Sequence, residues 1–384
     1  MVEAVRRGAS ISAVARRFSV SRTNVRRWVR RAQGQRLSRV DFRDRPSGRR
    51  RAINRTAQAL EDRILELRRA LRQYSALGEF GAEAIHFALR AQGLQTLPSV
   101  RTIGRVLERR GALDGRQRRR RRAPPPGWYL PGLASQHAEL DSFDVVEGLV
   151  IQGGLSVEVL TGISLHGGLP QAWPRRKITA KAVASALLGH WRQVGLPDYA
   201  QFDNDTVFQG PHQYRDTLGR VTRLCLSLNV VPVFAPPRET GFQAAIEGFN
   251  GYWQAKVWQR FLFHSRTHLR RQSERFIDAL RARRAVRIDS APARSPIPNH
   301  WRLDLQRPAP GRIIYLRRTN DAGAVSLLGH RFPVDSNWPH RLVRAELDLA
   351  QNRIEFFALR RRQPEWQPLL ATVEHHIPER RFKE

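Results

Sequence analysis

Three acidic residues stand apart in a chain whose other charges are mostly positive: Asp141, Asp203 and Glu247. Asp141 closes the run His137-Ala-Glu-Leu-Asp141. Asp203 closes Tyr199-Ala-Gln-Phe-Asp203 and is followed by Asn204. Glu247 lies in the stretch Gln243-Ala-Ala-Ile-Glu247-Gly-Phe-Asn250. The chain has 67 Lys+Arg against 34 Asp+Glu, a formal net charge of +33. Carboxylates in its middle add nothing to an electrostatic grip on DNA. Two Asp at strand ends and a Glu on a helix offer hard oxygen ligands instead, the kind that hold Mg2+ beside a phosphate. Asp144 and Glu239 are close enough in sequence to compete for the first and third places.

The elements that must position these acids follow from the apolar pattern. Residues 138–145, 149–155 and 157–166 predict three strands joined by short Gly-containing turns. Residues 179–194 predict a helix with Val183, Ala186, Leu187 and Trp191 on one side. A strand at 199–203, a helix at 218–228 and a β-branched strand at 230–234 follow, then a loop at 235–242 with Pro236, Pro237 and Gly241. A final helix is predicted over 243–263, giving the order β-β-β-α-β-α-β-α. On it, Ile246, Phe249, Trp253, Val257 and Phe261 recur at helical spacing. Glu247 lies about 100° around the helix from Ile246, so it can sit near the sheet and still reach a metal. Gln254 and Lys256, further along, could touch DNA phosphates or face solvent.

Charge is concentrated at the front. Residues 1–130 hold 32 Arg, no Lys and 10 acids, a net of +22 out of +33. This is the electrostatic footprint of nucleic-acid binding. Residues 1–33 read as a helix-turn-helix, with Ser19-Val-Ser21 as the turn and Ser21 as the N-cap of a recognition helix. Arg22, Thr23, Asn24, Arg26 and Arg27 would stand at its exposed start, where base and phosphate contacts are made, with Val25 and Trp28 inward. A basic linker at 34–55 leads to a second helical unit at 56–111, read as a helix-turn-helix or winged-helix-like DNA-binding domain. There Ser99 would cap a helix burying Val100, Ile103 and Leu107 and exposing Arg101, Thr102 and Arg105.

An Arg/Pro-rich linker is predicted at 112–134, a helical and irregular connector at 271–310, and a small β-barrel with a basic tail at 311–384. Asn320-Asp-Ala-Gly323 reads as a hairpin turn. His375-His376 falls in the tail without Asp or Cys partners at metal spacing and is expected at the surface.

The strand and helix order, together with the acids, resembles the ribonuclease H-like catalytic core of retroviral-type integrases and bacterial insertion-sequence transposases, over residues 135–270. The resemblance implies a multidomain α+β protein: N-terminal helix-turn-helix domains, an α/β core with a mixed sheet, and a C-terminal small β-barrel. It implies an Asp-Asp-Glu site, with Asp141 bridging two divalent ions, Mg2+ or Mn2+, Asp203 holding one and Glu247 the other. The family's usual Asn-Gly after the second Asp reads Asn204-Asp205 here. The implied activity is cleavage of DNA strands at element ends by water, followed by attack of the freed 3′-hydroxyl on target DNA. Joining two ends implies a homo-multimer on DNA.

Other classes find little support in the residues. A single cysteine, Cys225, leaves neither a disulfide framework nor a cysteine-based zinc finger. No apolar run reaches a membrane span of about 18 residues, no signal peptide is evident, and a cytoplasmic, nucleoid-associated bacterial protein is expected. No P-loop is present, so any ATP-using step would need a helper ATPase. The rival reading is a catalytically inactive, transposase-derived DNA-binding regulator.

Overall fold

The computed structural model describes residues 1–43, 56–113, 126–211, 213–239, 241–306, 310–378 and 381–382. The chain divides into two compact units, residues 1–61 and 62–384.

The first unit begins with α1 (Val2–Arg6), α2 (Ile11–Arg17) and α3 (Arg22–Ala32). Ser10 and Ser21 cap α2 and α3, each hydroxyl accepting a backbone N–H three residues on at 3.2 Å. Val14, Ala15 and Val25 form one small core, and Val2, Ala32 and Val40 another that includes the partly buried Trp28. Arg22, Thr23, Asn24, Arg26 and Arg27 are all exposed along the start of α3. Helix α4 (Gln58–Tyr74) begins at the end of the first unit and lies mostly in the second, which also holds α5 (Ala82–Ala91) and α6 (Val100–Arg109). Ser99 caps α6, Ile103, Val106 and Leu107 are buried, and Val100 is exposed rather than inward. The described residues of 56–113 contain no strand.

The expected linkers at 34–55 and 112–134 lie partly outside the described residues, at 44–55 and 114–125; Arg116 and the run 118–122 fall there. The end of the second is no linker. Trp128, Tyr129, Leu130 and Leu133 are buried around α7 (Pro131–Ala134) and pack on Val233, Phe242, Ile314 and Leu316.

A single nine-stranded mixed sheet organises the rest, in the order β11-β10-β9-β6-β5-β4-β1-β2-β3. Its first strands are β1 (Leu140–Ile151), β2 (Leu155–Ser164), β3 (Pro170–Arg175), β4 (Tyr199–Phe202) and β5 (Val231–Phe234). The strands expected at 138–145 and 149–155 are one long strand, β1, interrupted by a bulge between Val146 and Leu149. Gly148, at φ +72°, lets the backbone bulge where the sequence suggests a turn. The true third strand, β3, carries Pro170 and Pro174, which an edge strand tolerates because one row of its N–H groups needs no partner.

Strands β1, β2 and β3 are antiparallel, and β1, β4 and β5 run parallel. Helices α8 (Ala180–Val194), α9 (Thr206–Gln209) and α10 (Arg220–Ser227) cover one face, burying Phe143, Trp191, Phe202, Phe208, Leu224 and Phe234. Helices α11 (Ala244–Trp253) and α12 (Arg266–Asp289) cover the other, with Ile246, Phe249, Trp253 and Phe276 against Val146, Val159 and Ile163. The result is a mixed sheet covered by helices on both faces. The helix expected to reach residue 263 ends at Trp253 and passes into one π turn, Gln254–Trp258.

The C-terminal strands are β6 (Arg312–Arg318), β7 (Ala324–Leu327), β8 (His330–Pro333), β9 (Leu342–Asp348), β10 (Arg353–Leu359) and β11 (Leu369–Glu374). They do not form the separate small barrel expected. Ile314 and Tyr315 of β6 pair parallel with Val233 and Phe234 of β5, and β9, β10 and β11 extend the same sheet. Only β7 and β8 stand apart, as a two-stranded hairpin. The alternation of apolar residues sets the strands but is the same for a barrel and for an extended sheet. The free hydrogen-bonding edge of β5 decides the pairing. The turn at Asn320–Gly323 joins β6 to β7, which belong to different sheets. Gly323 (φ +67°) is required there, since a Cβ would sit 1.8 Å from the Asp335 carbonyl oxygen.

Candidate active site

The strand alternation of β1 determines which of its acids can meet the others. Before the bulge, Phe143 and Val145 point into the core under α8 and α10, while Asp144 and Val146 point to the α11 face. Asp141 therefore lies on the α8 side. Its side chain is 2% exposed and is engaged on both oxygens. Arg294 donates to Oδ1 at 2.5 Å and to Oδ2 at 3.0 Å, and Trp191 Nε1 donates to Oδ2 at 3.0 Å. Burial alone would lower the Arg294 guanidinium, but the charge and hydrogen bonds of Asp141 outweigh it and raise it. His190 stands 3.9 Å away. Burial holds its pKa down at about 4, leaving it neutral at pH 7.

The structure thus places Asp141 in a closed ion pair and does not bring it to Asp203 and Glu247. The residue it brings there is Asp144. Strands β1 and β4 pair Asp141 with Ala200 and Ser142 with Gln201, and the same offset carries Asp144 level with Asp203. Burial pushes the Asp144 carboxyl up to about 6, with the charges of Asp203 and Glu247 adding to the rise. Asn250, three residues beyond Glu247 on α11, donates from Nδ2 to Asp144 Oδ2 at 2.7 Å. Thr161 of β2 fixes that amide by donating to Asn250 Oδ1 at 2.7 Å. The Val145 N–H donates to Asp144 Oδ1 at 2.9 Å.

Asp203 sits one residue beyond β4 and is also raised, by burial first, against the Asp205 N–H that it accepts, and further by the charges of Asp205 and Glu147. Asp205, where the resemblance would have Gly, uses its carboxylate as the cap of α9, accepting the Val207 N–H at 2.8 Å. Asn204 ties the end of β4 to the end of β5, donating to the Ala235 carbonyl at 2.6 Å. Its Oδ1 accepts from Arg317 Nη2 at 2.8 Å. Arg317 is pushed down to about 10 by burial. Glu247 is exposed in the first turn of α11. Glu239, its competitor, is closed by an ion pair with Arg318.

Among the residues expected on DNA, Arg101 and Arg105 are exposed on α6 and Thr102 is half-buried. Lys256 is turned inward, donating from Nζ to the Gly78 carbonyl at 3.1 Å. It holds the segment after α4 to the core, together with Arg260 donating to the Ser75 carbonyl at 2.7 Å. Sequence reasoning misses Asn250; its position three residues from Glu247, on one helix face, is the signal that could have found it.

Residues 1–72 match the family described as transposase (HTH_Tnp_1). The chain is similar to a structure of the simian T-cell lymphotropic virus intasome in complex with PP2A regulatory subunit B56 gamma, at 14% identity and a TM-score of 0.34, over 71% of this chain and 87% of that one. It is similar to the HTLV-2 integrase catalytic core domain in complex with magnesium, at 14% identity and a TM-score of 0.27, over 37% of this chain and 82% of that one. It is also similar to the catalytic core domain of BIV integrase, at 17% identity and a TM-score of 0.26, over 38% and 82% of the two chains. At these scores the superpositions are loose, and the fold rests on the sheet order given above. No curated protein matches the chain. Among the described residues no helix is long and apolar enough to cross a membrane.

Proposed function

We propose that this protein is a DNA transposase/integrase whose front end holds element DNA and whose core cleaves and joins strands at Asp144, Asp203 and Glu247. The carrying observation is the Asp144 carboxyl, raised by burial and by the charges of Asp203 and Glu247. The transposase-type front end and the +33 charge of the chain supply the DNA side of the reading.

The donor set fits hard divalent cations, Mg2+ or Mn2+, because it offers carboxylate oxygens alone and its crowded negative charge is relieved by a cation. Two such ions would supply charge neutralisation at the scissile phosphate and activation of the attacking oxygen. Asp144 feels the charges of both other acids and is the natural shared ligand. Asn250 and Thr161 hold its orientation, and Arg317 through Asn204 fixes the strand end that carries Asp203. Asp141 acts as a positioning residue, anchoring β1 from behind through Arg294.

The assay is strand transfer with labelled DNA carrying the flanks of the gene, a plasmid target, and Mg2+ or Mn2+. Joining should occur with wild type and vanish in Asp144→Asn and Asp203→Asn while DNA binding persists. DNA binding without cleavage or joining in wild type would instead identify a DNA-binding regulator.

A further inference from the structure

Three side chains far apart in sequence meet at one place in the fold. Asp216 lies in the loop between α9 and α10, His330 opens β8, and His375 directly follows β11. Asp216 Oδ2 is 2.9 Å from His330 Nε2, and Oδ1 is 2.8 Å from His375 Nε2. One ligand atom from each lies within 4.8 Å of the others, the only such trio of His, Cys, Asp or Glu among the described residues. From this geometry we infer that Asp216, His330 and His375 bind a borderline divalent transition ion of the Zn2+ type.

The donor chemistry separates this site from the proposed catalytic one. Two imidazole nitrogens and one carboxylate oxygen suit Zn2+ and its neighbours, whereas oxygen ligands alone suit Mg2+. Ligands about 2.0–2.1 Å from a tetrahedral zinc stand roughly 3.3 Å from one another. The two nitrogens therefore need retreat only about 0.5 Å from the carboxylate, within the play of side-chain torsions. The fourth position is left to water.

The frame around the trio is already fixed. The His375 N–H donates to the Asn352 carbonyl at 2.8 Å, and the Asp216 N–H donates to the Leu328 carbonyl at 3.1 Å. Asp216 itself is held at φ +56°. The His330 and His375 rings stand 5.1 Å apart at 69°, with Phe332 edge-on to His375 at 5.2 Å. Each histidine presents Nε2 inward, as a metal ligand would. The side chains of Asp216 and His375 are 10% and 11% exposed and that of His330 is 28%, which leaves an entry path beside His330. A bound ion would tie the loop after α9 to the β7–β8 hairpin and to the last strand of the sheet.

The test uses untagged full-length protein, stripped with chelator and titrated with Zn2+ and Co2+. Expected are one equivalent of Zn2+ bound, a visible Co2+ absorption band from nitrogen ligands, and a Tm rise of about 2 °C or more at saturating Zn2+. Asp203→Asn should keep all three responses. His375→Asn, which retains a hydrogen-bonding group beside Asp216, and His330→Ala should each lose them. A Zn2+ equivalent kept by both histidine variants, or no Zn2+ bound by wild type, would overturn the assignment. Loss in Asp203→Asn alone would move the ion to the catalytic acids and overturn it equally.

Discussion

Asp141 and Asp144 are three residues apart on one strand, and substitution by the near-isosteric Asn should act in opposite directions at the two positions. Asp141 is buried against Arg294, so neutralising it leaves a guanidinium without its counter-charge. Breaking a buried pair from one side costs about 3–5 kcal/mol. In Asp141→Asn the new amide oxygen still offers Trp191 an acceptor, so a loss of about 2–4 kcal/mol is expected. Asp144 behaves the opposite way. Its pKa is raised from 3.8 to about 6. Its contribution to stability is therefore whole below pH ~4 and is lost as pH rises through ~6. The shift corresponds to at most about 3 kcal/mol, and partial exposure reduces it to roughly 1–2 kcal/mol.

Asp144→Asn should accordingly be more stable than wild type at pH 7.5 and nearly equal to it at pH 4. Asp141→Asn should be less stable at both. Urea unfolding at the two pH values, read by tryptophan fluorescence, measures this, and Mg2+ should raise the wild-type midpoint while leaving Asp144→Asn unmoved. Strand transfer on the same preparations gives the second axis. Asp144→Asn should be folded and inactive, and any activity lost in Asp141→Asn should follow its loss of folded protein. A fully stable Asp141→Asn that cannot join DNA, beside an Asp144→Asn that can, would refute the assignment of the two residues.

Further outcomes can be checked on the same footing. Asn250→Ala removes the donor to Asp144 and should cut strand transfer by about tenfold or more, while Asn250→Asp, with its like charge, should do worse; equal rates in Asn250→Ala and wild type would remove Asn250 from the site. Glu239→Gln should join DNA as wild type does and Glu247→Gln should not, a contrast read directly on a gel. Arg26→Ala and Arg27→Ala on α3 should weaken DNA binding and reduce the slope of log K against log salt by about 0.9 for each phosphate the arginine had neutralised. An unchanged slope would place those arginines off the DNA. Arg317→Met removes the donor to Asn204 Oδ1 and should lower stability by about 1–3 kcal/mol, measured as a shift in the urea midpoint.

Local pattern was enough for much of this protein. Serines before basic amphipathic runs set the caps at Ser21 and Ser99, because an N-cap is decided within three residues. Apolar periodicity set α8, α10 and the stripe Ile246, Phe249, Trp253 that faces the sheet beside Glu247. The concentration of arginine at the front and the spacing of acids in the middle pointed to DNA and to metal-assisted chemistry.

Tertiary structure decided what depends on facing and on distant partners. A strand end carrying both Asp141 and Asp144 reads as two candidates, and only the pairing of β1 with β4, and α8 against α11, assigns each a face. A bulge at Gly148 is indistinguishable from a turn until its neighbours are paired. His375 has no partner within its own stretch of chain, because Asp216 and His330 reach it only through folding. The C-terminal strands were legible one by one. Whether they curl into a barrel or add to an existing sheet depends on which edge is open to their backbone hydrogen bonds, and that edge belongs to β5, about 80 residues earlier in the chain.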